Sequence, residues 1–261
     1  MQLIAADIGN SSTKVAIDHA AADNRWCMQT IVRDEEQLQL DLSNLEVTDE
    51  PAFWSVSSVN RKRESSLQAW ISEHRPNDRF HLIGPDDVQL KTDVESRTLL
   101  GRDRLVEAWM AMRLNDNEDP IIVIDAGTAV TIDFVDQDAV FRGGVIFPGA
   151  ESNFRMLAEY TDALPDLRNF LRTKDDATAH LRVIGKSTTD AIVGGVYQSQ
   201  SAAIIGIVNQ MIYDSVSAPV VFATGGGIED IRETLPDYWN YVPDLVLRGA
   251  REIGRRLMQE R

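Results

Sequence analysis

Cysteine is nearly missing from this chain: Cys27 stands alone among 261 residues. An internal disulfide is therefore impossible, and the usage suits a reducing cytoplasm. His-x-His, Cys-x-x-Cys and His-Glu-x-x-His spacings are absent too, which excludes the usual dedicated zinc sites. The four histidines (His19, His74, His81, His180) are scattered and read as surface residues. There is no basic run, and the formal net charge is −15 with a pI near 4.6. Such a balance argues against non-specific nucleic-acid binding and against an anionic membrane surface. Neither a basic-then-apolar leader nor an 18-residue apolar span is read. A polyanionic ligand would have to be held by local amides, a metal and a few cations, against the overall field. What is present is ordinary: 43% hydrophobic and 26% charged residues, as in soluble globular proteins. The length allows one large domain or two of ordinary size.

Two stretches say nearly the same thing. Leu3–Ile17 reads LIAADIGNSSTKVAI, and Ile121–Val135 reads IIVIDAGTAVTIDFV. Each is an apolar run, an Asp-x-Gly turn, then alternating apolar residues: Val15 and Ile17 in the first, Val130, Ile132 and Phe134 in the second. That pattern predicts a β-hairpin in each. Asp-x-Gly is common turn chemistry, but two hydroxyl-rich copies nearly half a chain apart point to a duplicated ligand site. Gly9 and Gly127 let backbone approach an anion, and Asn10, Ser11, Ser12, Thr128 and Thr131 add donors. Asp7 and Asp125 would repel a bare phosphate, so a cation is expected between them and it. Two similar domains facing a common cleft follow as the expectation.

Around the hairpins, the pattern predicts strands at Trp26–Val32, Phe53–Val59 and Phe80–Ile83, and helices at Glu35–Leu45 and Arg61–His74. A helix is expected from Asp103 to Leu114, just after Gly101. A carboxylate there is as natural a cap as a catalytic group. The polar Asn115–Pro120 reads as a domain boundary. In the second half, a short strand between Gly143-Gly144 and Pro148-Gly149 leads to a helix over Ala150–Tyr160. Asp162–His180 reads as loop-rich. Gly185-Lys186-Ser187 imitates the end of a P-loop, but His180 stands where the upstream glycine belongs. A long helix is expected over Thr189–Tyr213, its glycines marking a helix–helix contact. Val220–Ala223 reads as a strand running into Thr224-Gly225-Gly226-Gly227, a place for a phosphate-bearing ligand to approach backbone. Leu245–Gly249 and a basic helix over Ala250–Gln259 close the chain.

As a set, DIGNSSTK, GRDR (Gly101–Arg104), DAGTAVTID, GGVIFPG and TGGG resemble the type III pantothenate kinases. The resemblance runs in order over nearly the whole chain and takes in the Ser57-Ser58-Val59 strand end and the closing PDLVLRGA, Pro243–Ala250. That family lies in the superfamily of acetate and sugar kinases, heat-shock chaperones and actin. The resemblance implies an α/β fold of two ribonuclease-H-like, actin-like ATPase domains, 1–117 and 118–261. Each would be a mixed β-sheet with flanking helices, around a central cleft. It implies ATP-dependent phosphorylation of pantothenate in a cytoplasmic homodimer, with Mg²⁺ and a monovalent cation, K⁺ or NH₄⁺. Carried over, Asp7, Ile8, Gly9, Asn10, Ser11, Ser12, Thr13 and Lys14 would form the first phosphate loop, with Asp7 near magnesium. Gly101, Arg102, Asp103 and Arg104 would hold pantothenate, with Val59 and with Thr188, the latter across the dimer. Asp103 would be the general base, its pKa lowered by Arg104 and the helix N-terminus, and Arg104 would pair with the pantothenate carboxylate. Asp125 would bind the monovalent cation, Thr128 the ATP phosphates, and Thr224, Gly225 and Gly226 the adenosine side. Two departures stand out: Ser187 replaces a common asparagine, and Asp93–Thr98 lacks the usual Tyr and Pro. The rival expectations are a non-catalytic regulatory relative acting by binding a partner, and a kinase for another small alcohol.

Overall fold

The first apolar run becomes β1 (Gln2–Ile8), which turns back as β2 (Ser12–Asp18); β3 (Trp26–Val32) pairs antiparallel on its far side. In this computed structural model the described residues are 1–18, 26–32, 48–116, 119–167 and 183–260. The helix expected at Glu35–Leu45 lies outside them, as does most of the stretch expected to be loop-rich. On the other side of β1, β4 (Ala52–Ser58) and then β5 (Arg79–Leu82) add in parallel, giving the order β3-β2-β1-β4-β5. The crossover from β4 to β5 is α1 (Arg61–His74), capped by the Asn60 side chain, which accepts from the Arg63 amide. A short strand, β6 (Lys91–Thr92), and α2 (Arg102–Leu114) follow.

The second run repeats the plan. β7 (Ile121–Ala126), β8 (Ala129–Val135) and β9 (Val140–Pro148) form an antiparallel meander, and β10 (Val220–Thr224) and β11 (Asn240–Tyr241) add parallel to β7. Between them come α3 (Ala150–Tyr160) and α4 (Thr188–Asp214); α5 (Gly226–Ile231) and α6 (Leu245–Gln259) complete the chain. Within this half the order β9-β8-β7-β10-β11 matches β3-β2-β1-β4-β5 strand for strand. The expected ribonuclease-H-like plan is thus present twice. One detail differs from expectation: β9 is a single nine-residue strand running through Gly143-Gly144. The pairing skips Arg142 between Phe134↔Gly143 and Val135↔Phe141, so a bulge absorbs the irregularity there.

Two compact units result, Met1–Leu114 with Asp244–Arg261, and Asn115–Pro243. The expected second domain ran on to residue 261; in the structure the last helix belongs with the first unit. The reason lies in the two faces of the first sheet. Ile4, Ala6 and Ile8 share one face with Trp54 and Val56, and Leu67 and Ile71 of α1 cover it. Leu3, Ala5 and Phe53 are buried on the other face, which needs a cover of its own. That cover is α6, which packs on β1, β4 and α2 with Val246, Leu247, Ala250 and Ile253 buried. Leu245–Gly249 is accordingly its first turns rather than a separate segment. The Ser55 hydroxyl donates to the Ala250 carbonyl at 2.7 Å.

Charge fixes the same helix. Asp18, buried at the end of β2, accepts from Arg251 (2.8 Å) and from two nitrogens of Arg255 (2.5 and 2.9 Å). Burial pushes its carboxyl up, but the bonds and charges of Arg255 and Arg251 outweigh that and hold it below the ordinary value. A depressed carboxylate stabilises the fold at pH above its unfolded pKa, about 3.8, and this contribution is lost as pH falls through the folded value. Asp18→Asn is expected to cost about 3 kcal/mol at neutral pH by stranding two arginines. Denaturant unfolding at pH 7 and in acid checks this, since the deficit should shrink as wild-type Asp18 protonates.

In the second unit α4 runs for 27 residues, and by length and hydropathy (1.4 over its best window) it could span a membrane, contrary to the expectation of no such span. Its composition reaches that value through small and aliphatic residues. Ile192, Val193, Val196, Tyr197, Ile204 and Val208 are instead buried in the core formed with β7, β8 and β10.

Candidate active site

In the first unit, three segments meet where parallel β1 and β4 end, the usual place for a ligand in an α/β sheet. The hairpin turn closes with the Gly9 amide donating to Ser12 O at 2.9 Å, and the Val59 amide donates to Ile8 O at 3.1 Å. Arg63, in the first turn of α1, donates to Gly9 O at 3.3 Å. Arg102, at the start of α2, donates to Ser58 O at 3.4 Å and approaches Glu64 at 3.7 Å. Of the residues expected here, the structure thereby gathers Ile8, Gly9, Ser12, Val59 and Arg102, with Asp103 one residue further along α2.

Register sets which side chains share a face. Asp7 lies opposite Lys14 on β2 and in step with Ser57 on β4, so the three form a row across the sheet. Lys14 is held by Asp244 at 2.8 Å, just before α6. Asp244 has a left-handed backbone (φ 58°). Sequence reasoning gave no site role to Asp244 or Ser57; their signal was their place inside PDLVLRGA and the Ser57-Ser58-Val59 strand end.

Asp103 corrects one expectation. Its carboxylate folds back over Gly101, where an added Cβ would sit 2.5 Å from Oδ1, so a side chain at that position would push the carboxylate out of its place. The Arg104 amide donates to the same oxygen at 2.8 Å. Burial pushes the Asp103 pKa up, and this outweighs the Arg104 amide and the Arg104 charge, which pull it down. The expected lowering is therefore reversed, because desolvation of the carboxylate is a property of the packed site and exceeds its one-residue neighbourhood.

The second unit builds a parallel arrangement. Gly127 donates to Ala129 O at 2.9 Å to close its hairpin. The Thr128 carbonyl is gripped by the start of α3, from the Gly149 amide at 3.0 Å and the Ser152 hydroxyl at 2.6 Å. Ser152 was another residue not foreseen. Asp125 is in register with Thr224, and the glycine loop after Thr224 lies directly on the hairpin. At Gly225, with φ 90°, a Cβ would run into Asp125 Oδ1 and the Ala126 carbonyl. Thr188 opens α4 and lines a cavity of about 520 Å³ with Asn153, Met156, Ile192 and Ser199. Ser187 is the N-cap, accepting from the Asp190 amide at 3.1 Å. Serine and asparagine cap equally well, so this departure leaves the helix start intact, and the P-loop imitation is a helix cap.

Among the described residues no group of three or more His, Cys, Asp or Glu side chains is placed to hold a metal. A single carboxylate beside hydroxyls and amides, as at Asp7, fits a cation that arrives already bound to phosphates.

The sequence profile described as type III pantothenate kinase matches residues 3–210. A type III pantothenate kinase of Caulobacter vibrioides is 30% identical over 266 residues, covering 98% of each chain. One from Sphingopyxis alaskensis is 30% identical over 99% of each. One from a Sulfurihydrogenibium species is 28% identical over 89% of this chain and 91% of its own. Among solved structures, a Campylobacter jejuni protein described as a Baf-family transcriptional activator superposes with TM-score 0.58 at 21% identity, covering 99% and 100%. A Sinorhizobium meliloti protein described as a 2-dehydro-3-deoxygalactonokinase gives 0.55 at 14%, covering 98% and 96%. At those identities the two structures speak for the fold alone. On the match over most of its length, the chain belongs to the type III pantothenate kinase family.

Proposed function

We propose that this chain transfers the terminal phosphoryl group of ATP to the hydroxyl of pantothenate, giving ADP and 4′-phosphopantothenate, the first step towards coenzyme A. The observation that carries the reading is the start of α2: Asp103, its pKa raised by burial and its oxygen bonded by the Arg104 amide, on a helix whose Arg102 reaches the end of β4, where Val59 bonds to Ile8 at the first hairpin. Phosphoryl transfer asks the protein mainly to align oxygens and balance charge. Asp103 orients the acceptor hydroxyl and takes its proton as the new O–P bond forms and the bond to the β-phosphate oxygen breaks. Arg104 pairs with the pantothenate carboxylate, as suits a planar guanidinium, with Gly101, Arg102 and Val59 beside it and Thr188 supplied by a second copy. The amides and hydroxyls from Gly9 to Thr13 and Thr128 bind phosphate oxygens. Lys14, already fixed by Asp244, adds positive charge, and Thr224 to Gly226 flank the adenosine.

Asp7 would hold magnesium that comes with ATP, and Asp125 a monovalent cation, K⁺ or NH₄⁺. When bound, these ions supply neutralisation of the phosphate charge. A homodimer accords with α4, whose Gly195 and Gly206 would meet nothing if given a Cβ, although such glycines weaken a helix by roughly 1 kcal/mol each. A cytoplasmic location accompanies this activity.

The test is ADP release by the purified chain with pantothenate, with and without potassium. Release is expected only with pantothenate, and faster with K⁺ or NH₄⁺ than with Na⁺. ATP binding without release would favour the partner-binding reading, and release with other small alcohols would favour a different kinase. Equal rates in K⁺ and Na⁺ would remove the role of Asp125.

A further inference from the structure

Three serines stand near the end of β4, and two have clear uses. Ser55 donates to the Ala250 carbonyl at 2.7 Å, and the Ser58 hydroxyl accepts from the Asn60 amide at 3.3 Å. Ser57 is fully buried, yet its hydroxyl has no hydrogen-bond partner among the described residues. A buried polar group left unmatched is a standing cost to the fold, and so asks for an explanation. Its position supplies one. Ser57 is in parallel register with Asp7, so the two side chains leave the same face of the sheet from adjacent strands, about 5 Å apart. Lys14 continues the row on the other side of Asp7. The duplicated fold makes the same placement twice: in the second unit the register partner of Asp125 is Thr224, another buried hydroxyl residue. A hydroxyl therefore accompanies each hairpin aspartate at the end of the neighbouring parallel strand.

We infer that Ser57 is a positioning residue for the nucleotide-borne cation, its hydroxyl bonding the Asp7 carboxylate or a water on that cation once Mg²⁺ and nucleotide are bound. The inference rests on the role proposed above for Asp7. It gives the hydroxyl a use: the group has no partner among the described residues and gains one in the complex.

The experiment compares wild type, Ser57→Ala, Ser57→Thr and Asp7→Asn as full-length chains. Thermal unfolding is followed alone, with ADP, with ADP and Mg²⁺, and with pantothenate. Ser57→Ala is expected to leave the Tm of the free protein unchanged or raised, and to cut the stabilisation by ADP with Mg²⁺ to less than half. The shift given by pantothenate should stay the same. The Mg²⁺ concentration for half-maximal turnover should rise roughly 10-fold, the effect of losing one good hydrogen bond. Ser57→Thr, which copies Thr224, should restore the Mg²⁺ dependence. A lowered free-protein Tm with an intact response to ADP and Mg²⁺ would make Ser57 merely structural and overturn the inference. Loss of the pantothenate shift instead would also overturn it, by moving the hydroxyl to the acceptor. Asp7→Asn separates the two levels. If it abolishes the Mg²⁺-dependent shift while Ser57→Ala does not, only the inference fails. If it too leaves the shift intact, the role of Asp7 fails as well.

Discussion

Replacing Asp103 with asparagine is expected to lower kcat by about 10²–10⁴-fold, the range for losing a positioned general base, with little change in ATP affinity. Asparagine keeps the oxygen that accepts from the Arg104 amide at 2.8 Å, and it still has the space above Gly101. Geometry is thus preserved while proton acceptance is removed. Stability separates chemistry from misfolding. A carboxylate whose folded pKa is raised by burial costs stability wherever it is ionised. Removing the charge should therefore leave Tm unchanged or slightly higher. The same shift has a kinetic sign. Asp103 must be ionised to act, so wild-type kcat/KM should fall as pH drops through a value above that of an ordinary aspartate, and that limb should vanish in the variant. A raised pKa also makes a better base, being closer to the operating pH. Near-normal turnover in Asp103→Asn would refute the assignment and leave Asp103 as a helix-start residue.

The hairpins and the strand order around them were legible because they rest on local rules. Period-two alternation, an Asp-x-Gly turn and a parallel-type run at Phe53–Val59 each leave marks within a few residues. The third strand at Trp26–Val32 and the helix at Arg61–His74 were readable for the same reason. Three things were not. The closing segment reads as a basic helix with no sign of which sheet it covers; that depends on a bare face some 240 residues upstream. The direction of the Asp103 pKa depends on how much solvent the packed site excludes, whereas the sequence displays only Arg104 and a helix start. Ser57 is legible only as part of the Ser57-Ser58-Val59 strand end, with no role attached; the register with Asp7 and the lack of a partner among the described residues supply the role. Ser187 was the opposite case: what looked like a departure from the family is a sound cap for α4.

Gly225→Ala is expected to be the most damaging single methyl added to the second unit. With φ 90° and ψ 149°, Gly225 occupies backbone territory that other residues rarely enter, at a cost of about 1–3 kcal/mol. The steric problem adds to this, because the new Cβ would strike the Asp125 carboxylate and the Ala126 carbonyl. Neither is the loose end of a long side chain: Ala126 O is backbone, and Asp125 leaves a central strand in register with Thr224. Relief requires the glycine loop to lift off the hairpin, displacing the group proposed to hold the monovalent cation. A fall in Tm of about 5–10 °C follows from the energies, together with loss of activation by K⁺ and a raised KM for ATP. Gly226→Ala is the control for folding. A Cβ there meets nothing within 4 Å, so its Tm should match wild type, and any rise in KM for ATP would report contact with nucleotide rather than strain. Should Gly225→Ala keep both wild-type Tm and K⁺ activation, the loop is free to move, and the close seat of Gly225 on Asp125 has no part in binding the cation.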